Sequence, residues 1–121
     1  MVPKRKKKKG KYFAVKTEYD GIVFDSKLEA ARYKILKKHE KDGLISDLQV
    51  QIDFPCILTV KGSEKKICSY IADFRYKRDG EWVVEDTKGI VTQVFRLKKK
   101  LVEALYPGTI IKIIKDPRDW S

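Results

Sequence analysis

The sequence predicts a mixed α/β (α+β) fold, in which a central mixed β-sheet is flanked by two main helices. Three observations predict it: short runs of alternating apolar residues separated by turn signals, two longer segments with apolar residues at helical spacing, and a β-branched run after the second helical segment. The strand–helix–strand crossover at the end implies that its two strands are parallel. With 121 residues, the chain has room for one domain around a single core.

The first elements are a hairpin and a helix. Residues 12–24 flank Asp20-Gly21, which is a strong signal for a two-residue type I′ turn. Asp25-Ser26 then begins a helix whose apolar positions recur at helical spacing, and Gly43 supplies its C-terminal stop. The only histidine, His39, lies on the apolar stripe, where we expect a partly buried helix residue rather than a metal ligand.

The middle of the chain predicts antiparallel strands. Residues 48–54 alternate apolar and polar side chains, which indicates a half-buried strand, and we expect Pro55 to bend or end it. Residues 57–60 and 67–76 flank a turn at 61–63 and predict another hairpin.

The C-terminal third predicts the crossover. A strand at 82–88 follows a turn at Arg78-Asp79-Gly80, and a final strand occupies 109–114. The helix between them, 92–105, is expected to bury one apolar face and to expose a polar one. The predicted buried face carries Val94, Leu97, Leu101 and Leu105, and the polar face carries Gln93, Arg96, Lys99 and Lys100. The polar face is interpreted either as a phosphate path or as an ordinary solvated surface.

Charge divides the chain into an arm and a body. The formal net charge is +11, and seven of the 28 basic residues lie between Lys4 and Lys11, among them Lys6, Lys7, Lys8 and Lys9. We therefore expect residues 1–11 to be a disordered basic arm and 12–121 to be the folded domain. A polyanion such as nucleic acid is the plausible partner of the arm, although a solubilising tail or a localisation signal explains it as well.

The strongest functional signal lies in the 70–89 segment. Asp73 falls in one strand, and Asp86 and Lys88 fall two apart in the next, so the pair points to one side of its strand. A hairpin would bring Asp73 close to that pair. Carboxylates are hard oxygen ligands for Mg²⁺ or Mn²⁺, and an amine can hold the attacking water or offset charge on a phosphodiester. The alternative is a solvated cross-strand face.

Two glutamates have competing interpretations. Glu29 fits a capping box with Ser26, in which its side chain reaches back to the Ser26 amide, and it also fits a third carboxylate facing a metal. Glu85 alternates with Asp86 and should point to the opposite side, unless a β-bulge exchanges the two.

Other classes of site and location have little support. Cys56 and Cys68 have no metal-binding spacing, which favours free buried thiols in a cytosolic chain rather than a structural zinc site. No apolar run approaches the roughly 20 residues that span a bilayer, and the basic N-terminus lacks the apolar segment of a signal peptide. We therefore expect no membrane partner.

The order of these residues resembles the PD-(D/E)xK nuclease superfamily, which includes restriction endonucleases, Holliday junction resolvases and very-short-patch repair endonucleases. The runs DGIVFDSKLEAARY, SYIADFRY, VVEDTKG and FRLKKKLVEALYP are similar to small phage and prophage proteins placed in it, over about residues 16–114. The resemblance implies a restriction-endonuclease-like core and the catalytic residues Glu29, Asp73, Asp86 and Lys88. Ala72 stands where the superfamily's name has proline.

The resemblance also implies a function and a metal set. We expect a Mg²⁺-dependent DNA endonuclease acting in the host cytoplasm, with Asp73, Asp86, the Thr87 carbonyl and Glu29 around the metal. Branched DNA such as four-way junctions is a candidate substrate, and its two-fold symmetry favours a homodimer. Gln93 matches a helix-borne polar position near the site in some members. The alternatives are a non-catalytic nucleic-acid-binding protein of phage replication or packaging, and an enzyme acting on RNA.

Overall fold

The fold is a four-stranded sheet with two helices and a separate N-terminal hairpin. The computed structural model describes residues 15–120, so the predicted basic arm lies outside the described residues. The elements run β1 (Thr17–Tyr19), β2 (Ile22–Phe24), α1 (Lys27–Lys41), β3 (Ser46–Val60), β4 (Ser63–Arg78), β5 (Glu81–Thr87), α2 (Gln93–Leu105) and β6 (Ile111–Ile114). The predicted α+β class with a mixed central sheet is confirmed.

The sheet keeps the order of the chain, β3-β4-β5-β6. The first three strands are antiparallel, and β5 and β6 are parallel because α2 carries the chain back across the sheet. The first hairpin forms a two-stranded sheet of its own, and its turn is the expected one, with positive φ angles at Asp20 and Gly21 of 60° and 76°.

Local capping signals define both helices. The hydroxyl of Ser26 accepts the Glu29 N–H at 3.0 Å at the start of α1, and that of Thr92 accepts the Phe95 N–H at 3.1 Å at the start of α2. Gly43 follows the C-cap of α1 with a φ of +81°, the left-handed conformation that commonly ends a helix.

The β3–β4 hairpin is longer than the sequence predicts. Pro55 does not end β3, which continues to Val60, and the turn uses Lys61 and Gly62 alone. β3 is an edge strand of the sheet, where a missing backbone N–H is tolerated, and the register shifts just beyond Pro55, between Cys56 and Ile57.

Two apolar clusters anchor the two helices to the sheet. The α1 cluster contains Phe24, Ala30, Tyr33, Leu36, Ile45, Phe74, Tyr76 and Val83. The α2 cluster contains Phe54, Cys56, Tyr70, Ala72, Val84, Phe95, Val102 and Ile111. Because Val83 belongs to one cluster and Val84 to the other, successive residues of β5 face opposite helices. The strand therefore presents Glu85 and Asp86 to different surroundings.

The predicted buried face of α2 is wrong at its N-terminal end. Val94 and Leu97 are exposed, whereas Phe95 and Val102 are buried and Leu101 and Leu105 are half-buried. The phenyl ring of Phe95 packs against Tyr70 of β4, with ring centroids 6.1 Å apart. This aromatic contact turns Phe95, rather than its aliphatic neighbours, toward the sheet.

Candidate active site

The β4–β5 hairpin places Asp73 beside Asp86. Phe74 pairs with Glu85, so the next positions along the two antiparallel strands are Asp73 and Asp86. The Thr87 N–H and hydroxyl both donate to Asp73 Oδ2, at 2.8 and 2.7 Å. These two bonds fix the Asp73 carboxylate at the end of β5, where the sequence predicts that the acids converge.

Asp86 is a buried carboxyl group that faces a second acid. It is only 1% exposed, and the Tyr70 hydroxyl donates to its Oδ2. Burial, followed by the hydrogen bond to Asp73 and the Asp73 charge, raises the pKa of Asp86 to about 8. The Tyr70 hydrogen bond and the Lys88 charge oppose this rise but are the smaller effects. At neutral pH Asp86 therefore favours its protonated form.

Lys88 supplies the positive charge at this site. It lies one residue beyond β5, and its N–H donates to the Ile114 carbonyl at 3.0 Å. The amine lies 3.6 Å from Asp86 Oδ2 and 4.6 Å from the centroid of the Phe95 ring, and the side chain is 30% exposed. The ammonium group is thus held between the acid and the first turn of α2, with part of its surface open to solvent.

Glu29 combines a helix-start position with an electrostatic link to the site. Its N–H is capped by Ser26, but the backbone hydrogen bond to its carboxylate comes from Asp25 rather than from Ser26. The side chain is buried at 4% exposure, and burial, then the charges of Asp73 and Asp25, raise its pKa to about 8. Lys88 lowers that pKa by a smaller amount. The capping box is therefore half-formed, and the carboxylate lies within the field of the acid pair.

Glu85 occupies the opposite side of β5, as strand alternation predicts. Its two carboxylate oxygens accept from Arg32 Nε and Nη2 at 2.8 and 2.6 Å, and the Tyr76 hydroxyl donates to it as well. Both charged groups are buried, at 0% and 1% exposure. Arg32 also donates to the carbonyls of Pro117 and Asp119, so one guanidinium joins α1, β5 and the C-terminal segment.

The residues predicted to contact nucleic acid fall into three groups. Lys6, Lys7, Lys8 and Lys9 lie outside the described residues. Gln93, Arg96 and Lys100 are exposed on α2. Lys99 is instead engaged by Glu103 at 2.8 Å, and that carboxylate also accepts the Ile111 N–H, so the pair ties α2 to β6.

Two contributors to the site were not found by sequence reasoning. The Tyr70 ring packs in the α2 cluster, and its hydroxyl reaches Asp86. The Thr87 side chain holds Asp73, whereas only its carbonyl was considered. No local pattern marks Tyr70, because it lies three residues before Asp73 and simple alternation puts the two on opposite sides of β4.

The acid cluster does not form a complete metal-binding group by itself. Across residues 15–120, no set of three or more His, Cys, Asp or Glu side chains is arranged to hold a metal ion. Neither helix of that stretch is long and apolar enough to cross a membrane.

The comparisons with known proteins place the chain in a family without assigning a chemistry. A family model described as "Protein of unknown function (DUF1064)" matches residues 9–118. A search of curated proteins found no match to the chain, and a search of solved structures likewise found none.

Proposed function

This chain belongs to the DUF1064 family, and we propose that it is a Mg²⁺- or Mn²⁺-dependent endonuclease that cleaves DNA. The observation that carries the proposal is the acid pair Asp73 and Asp86, which stands at the end of a buried strand with Lys88 beside it. A pure phosphate binder would gain nothing from two carboxylates there, because they repel the ligand unless a cation intervenes.

The donor set fits Mg²⁺. Burial, the hydrogen bond to Asp73 and the Asp73 charge favour a proton on Asp86, and a divalent cation would offset the charge of the two carboxylates in place of that proton. Mg²⁺ usually keeps several waters and takes only one or two protein carboxylates together with substrate phosphate, so a two-acid site is sufficient. Asp73 and Asp86 would hold the ion with the Thr87 carbonyl, and Glu29 would act on the site through its charge. When bound, it would supply Lewis-acid stabilisation of charge developing on the phosphate.

The surrounding residues orient the acids and handle charge. Thr87 fixes the rotamer of Asp73, and Tyr70 fixes that of Asp86, so neither carboxylate has to be ordered when substrate arrives. The Lys88 side chain is partly open to solvent, so its ammonium group can orient a water for in-line attack on phosphorus or neutralise the non-bridging oxygens. Glu29, at the start of α1, adds a third carboxyl group that interacts electrostatically with Asp73.

The remaining parts of the proposal follow from charge and from the superfamily resemblance. The +11 chain suits DNA as partner, and cleavage would leave a 5′-phosphate and a 3′-hydroxyl. A homodimer acting on branched DNA in the host cytoplasm suits a resolvase-like member of that superfamily.

A cleavage assay tests the proposal. The purified protein is incubated with linear, nicked and four-way-junction DNA, with Mg²⁺ or with chelator. We expect cleavage only with the metal, and a loss of several orders of magnitude in Asp86→Asn. Asp53→Asn, which changes an exposed acid on edge strand β3, is the matched control and should retain full activity.

Two results would overturn the proposal. Cleavage that persists in chelator would remove the metal mechanism. Metal-independent DNA binding with no cleavage of any substrate would make the chain a non-catalytic nucleic-acid-binding protein.

A further inference from the structure

An exposed tryptophan lies on the same side of β5 as the acid pair. Trp82, Val84 and Asp86 alternate along the strand and so point to one side, and at about 3.3 Å per residue Trp82 lies about 13 Å from Asp86. Trp82 is 47% exposed, whereas every residue from 83 to 87 is buried. About half of the Trp82 side chain is therefore open to solvent at the end of the strand opposite to the acids.

Two cations from the neighbouring strand hold this indole ring. Lys77 pairs directly with Trp82, and Arg75 is two residues further along β4 in the direction of Asp73. The guanidinium carbon of Arg75 lies 4.7 Å from the ring centroid, and the Lys77 amine lies 5.0 Å from it. Arg75 also donates from Nε and NH2 to Gln49 Oε1, at 3.0 and 2.6 Å, which fixes its guanidinium plane. Asp73, Arg75 and Lys77 therefore form one row on β4 that leads from the acids to the tryptophan.

The positive charges of Arg75 and Lys77 indicate which kind of ligand this surface would bind. An aromatic surface beside two cations is complementary to a nucleotide, which has a flat ring and charged phosphates next to it. Aromatic side chains combined with basic groups are the usual means of binding single strands, because every base has a π-face and only an unpaired base exposes it. An uncharged membrane surface or an apolar peptide would leave the two cations unused, whereas a polyanion with exposed rings would use the cations and the indole ring together.

We propose that Trp82, Arg75 and Lys77 form a binding site for an unpaired nucleotide of the substrate strand. The base stacks on the exposed part of the indole ring, and the two cations take the flanking phosphates. This rests on the proposed function in one respect, since the same strand would continue along β4 to the acid pair. The nucleotides bound at Trp82 would lie a few positions from the scissile phosphate, so the site would favour DNA with a single-stranded or distorted segment.

Trp120 offers a matched control. It is also exposed, at 58%, and Arg78 lies 4.8 Å from its ring centroid. Its ring packs against His39 of α1, however, and Trp120 does not belong to the strand that carries Asp86. The two tryptophans are the only ones in the chain. Trp120→Phe therefore leaves Trp82 as the single fluorophore, and Trp82→Phe leaves Trp120.

The test measures binding in chelator, so that no cleavage is needed. A single-stranded thymidine oligonucleotide is titrated into each single-tryptophan variant, and we expect quenching of Trp82 fluorescence but not of Trp120 fluorescence. Trp82→Ala should weaken binding of the single strand by about 5- to 150-fold, the range for loss of one stacked base. It should weaken binding of a blunt duplex by less than about twofold. Trp120→Ala should change neither. Lys77→Gln should lower the log–log salt slope for the single strand by about 0.7.

The outcomes separate this site from the acid pair. The site is overturned if Trp82→Ala and Trp120→Ala lose the same single-strand affinity. It is also overturned if Trp82→Ala keeps its single-strand affinity with an unchanged melting curve. Both conclusions hold even if the wild-type protein cleaves DNA. Selective quenching of Trp82 supports it even if no cleavage is found, in which case only the proposed chemistry fails.

Discussion

Removing the charge of Glu85 should be among the most destabilising single changes that this protein can undergo. Glu85 accepts two hydrogen bonds from Arg32 and one from Tyr76, and both charged groups are almost fully buried. In Glu85→Gln the guanidinium group stays buried without its counter-charge. Breaking a buried ion pair from one side typically costs about 3–5 kcal/mol. Total stability is typically about 5–15 kcal/mol, so the variant should be close to unfolding.

Urea denaturation followed by circular dichroism measures this loss. The double variant Arg32→Met/Glu85→Leu should recover most of the stability, because no unpaired charge remains in the interior. Lys38→Gln is the matched control, since its ion pair with Asp42 is exposed on α1 at 75% and 48%. That change should cost less than about 1 kcal/mol.

Two results would refute the reasoning. A Glu85→Gln loss as small as that of Lys38→Gln would mean that the Arg32–Glu85 pair is not buried. A double variant as unstable as the single one would mean that shape, rather than an unpaired charge, sets the cost.

Three further predictions concern the site and the arm. In chelator, the free energy of unfolding should fall as pH rises between about 4 and 8, because Asp86 with its raised pKa of about 8 keeps a proton in the folded state that the unfolded chain has released. The fall due to Asp86 should be at most roughly 1.4 kcal/mol per pH unit. Urea denaturation at several pH values should show a shallower dependence on pH in Asp86→Asn, and an identical dependence would contradict the raised pKa. Glu29→Gln should lose cleavage, while its free energy of unfolding should stay within about 1 kcal/mol of wild type, since the Glu29 carboxylate does not bond the Ser26 amide. A less stable but fully active variant would return Glu29 to a capping role. Deleting residues 1–11 should lower the salt slope of DNA binding by about two to four, at about 0.9 per phosphate contact, with unchanged single-turnover cleavage at saturating enzyme; an unaltered slope would make the arm a solubility or targeting tail.

The sequence by itself determined what short-range geometry controls. The Asp20-Gly21 turn, the Ser26 cap and the Gly43 stop each depend on residues within a few positions of one another, and all three are present. The opposite directions of Glu85 and Asp86 follow from the two-residue period of a strand, which is equally local. These features could be predicted because their physical causes lie within one turn or one strand.

Only the tertiary structure decided which neighbours these residues meet. Val94 and Phe95 both suit a buried helix face, and the ring of Tyr70, 25 residues away, selects Phe95. The position of α1 puts the Glu29 carboxylate in the field of Asp73, a contact through space that no local pattern in the sequence shows. The Tyr70 hydroxyl reaches Asp86 although neither residue marks the other in the sequence. Burial, electric fields and cross-strand hydrogen bonds depend on distances through space, and the order of residues along the chain fixes those distances only after the sheet and its helices have packed.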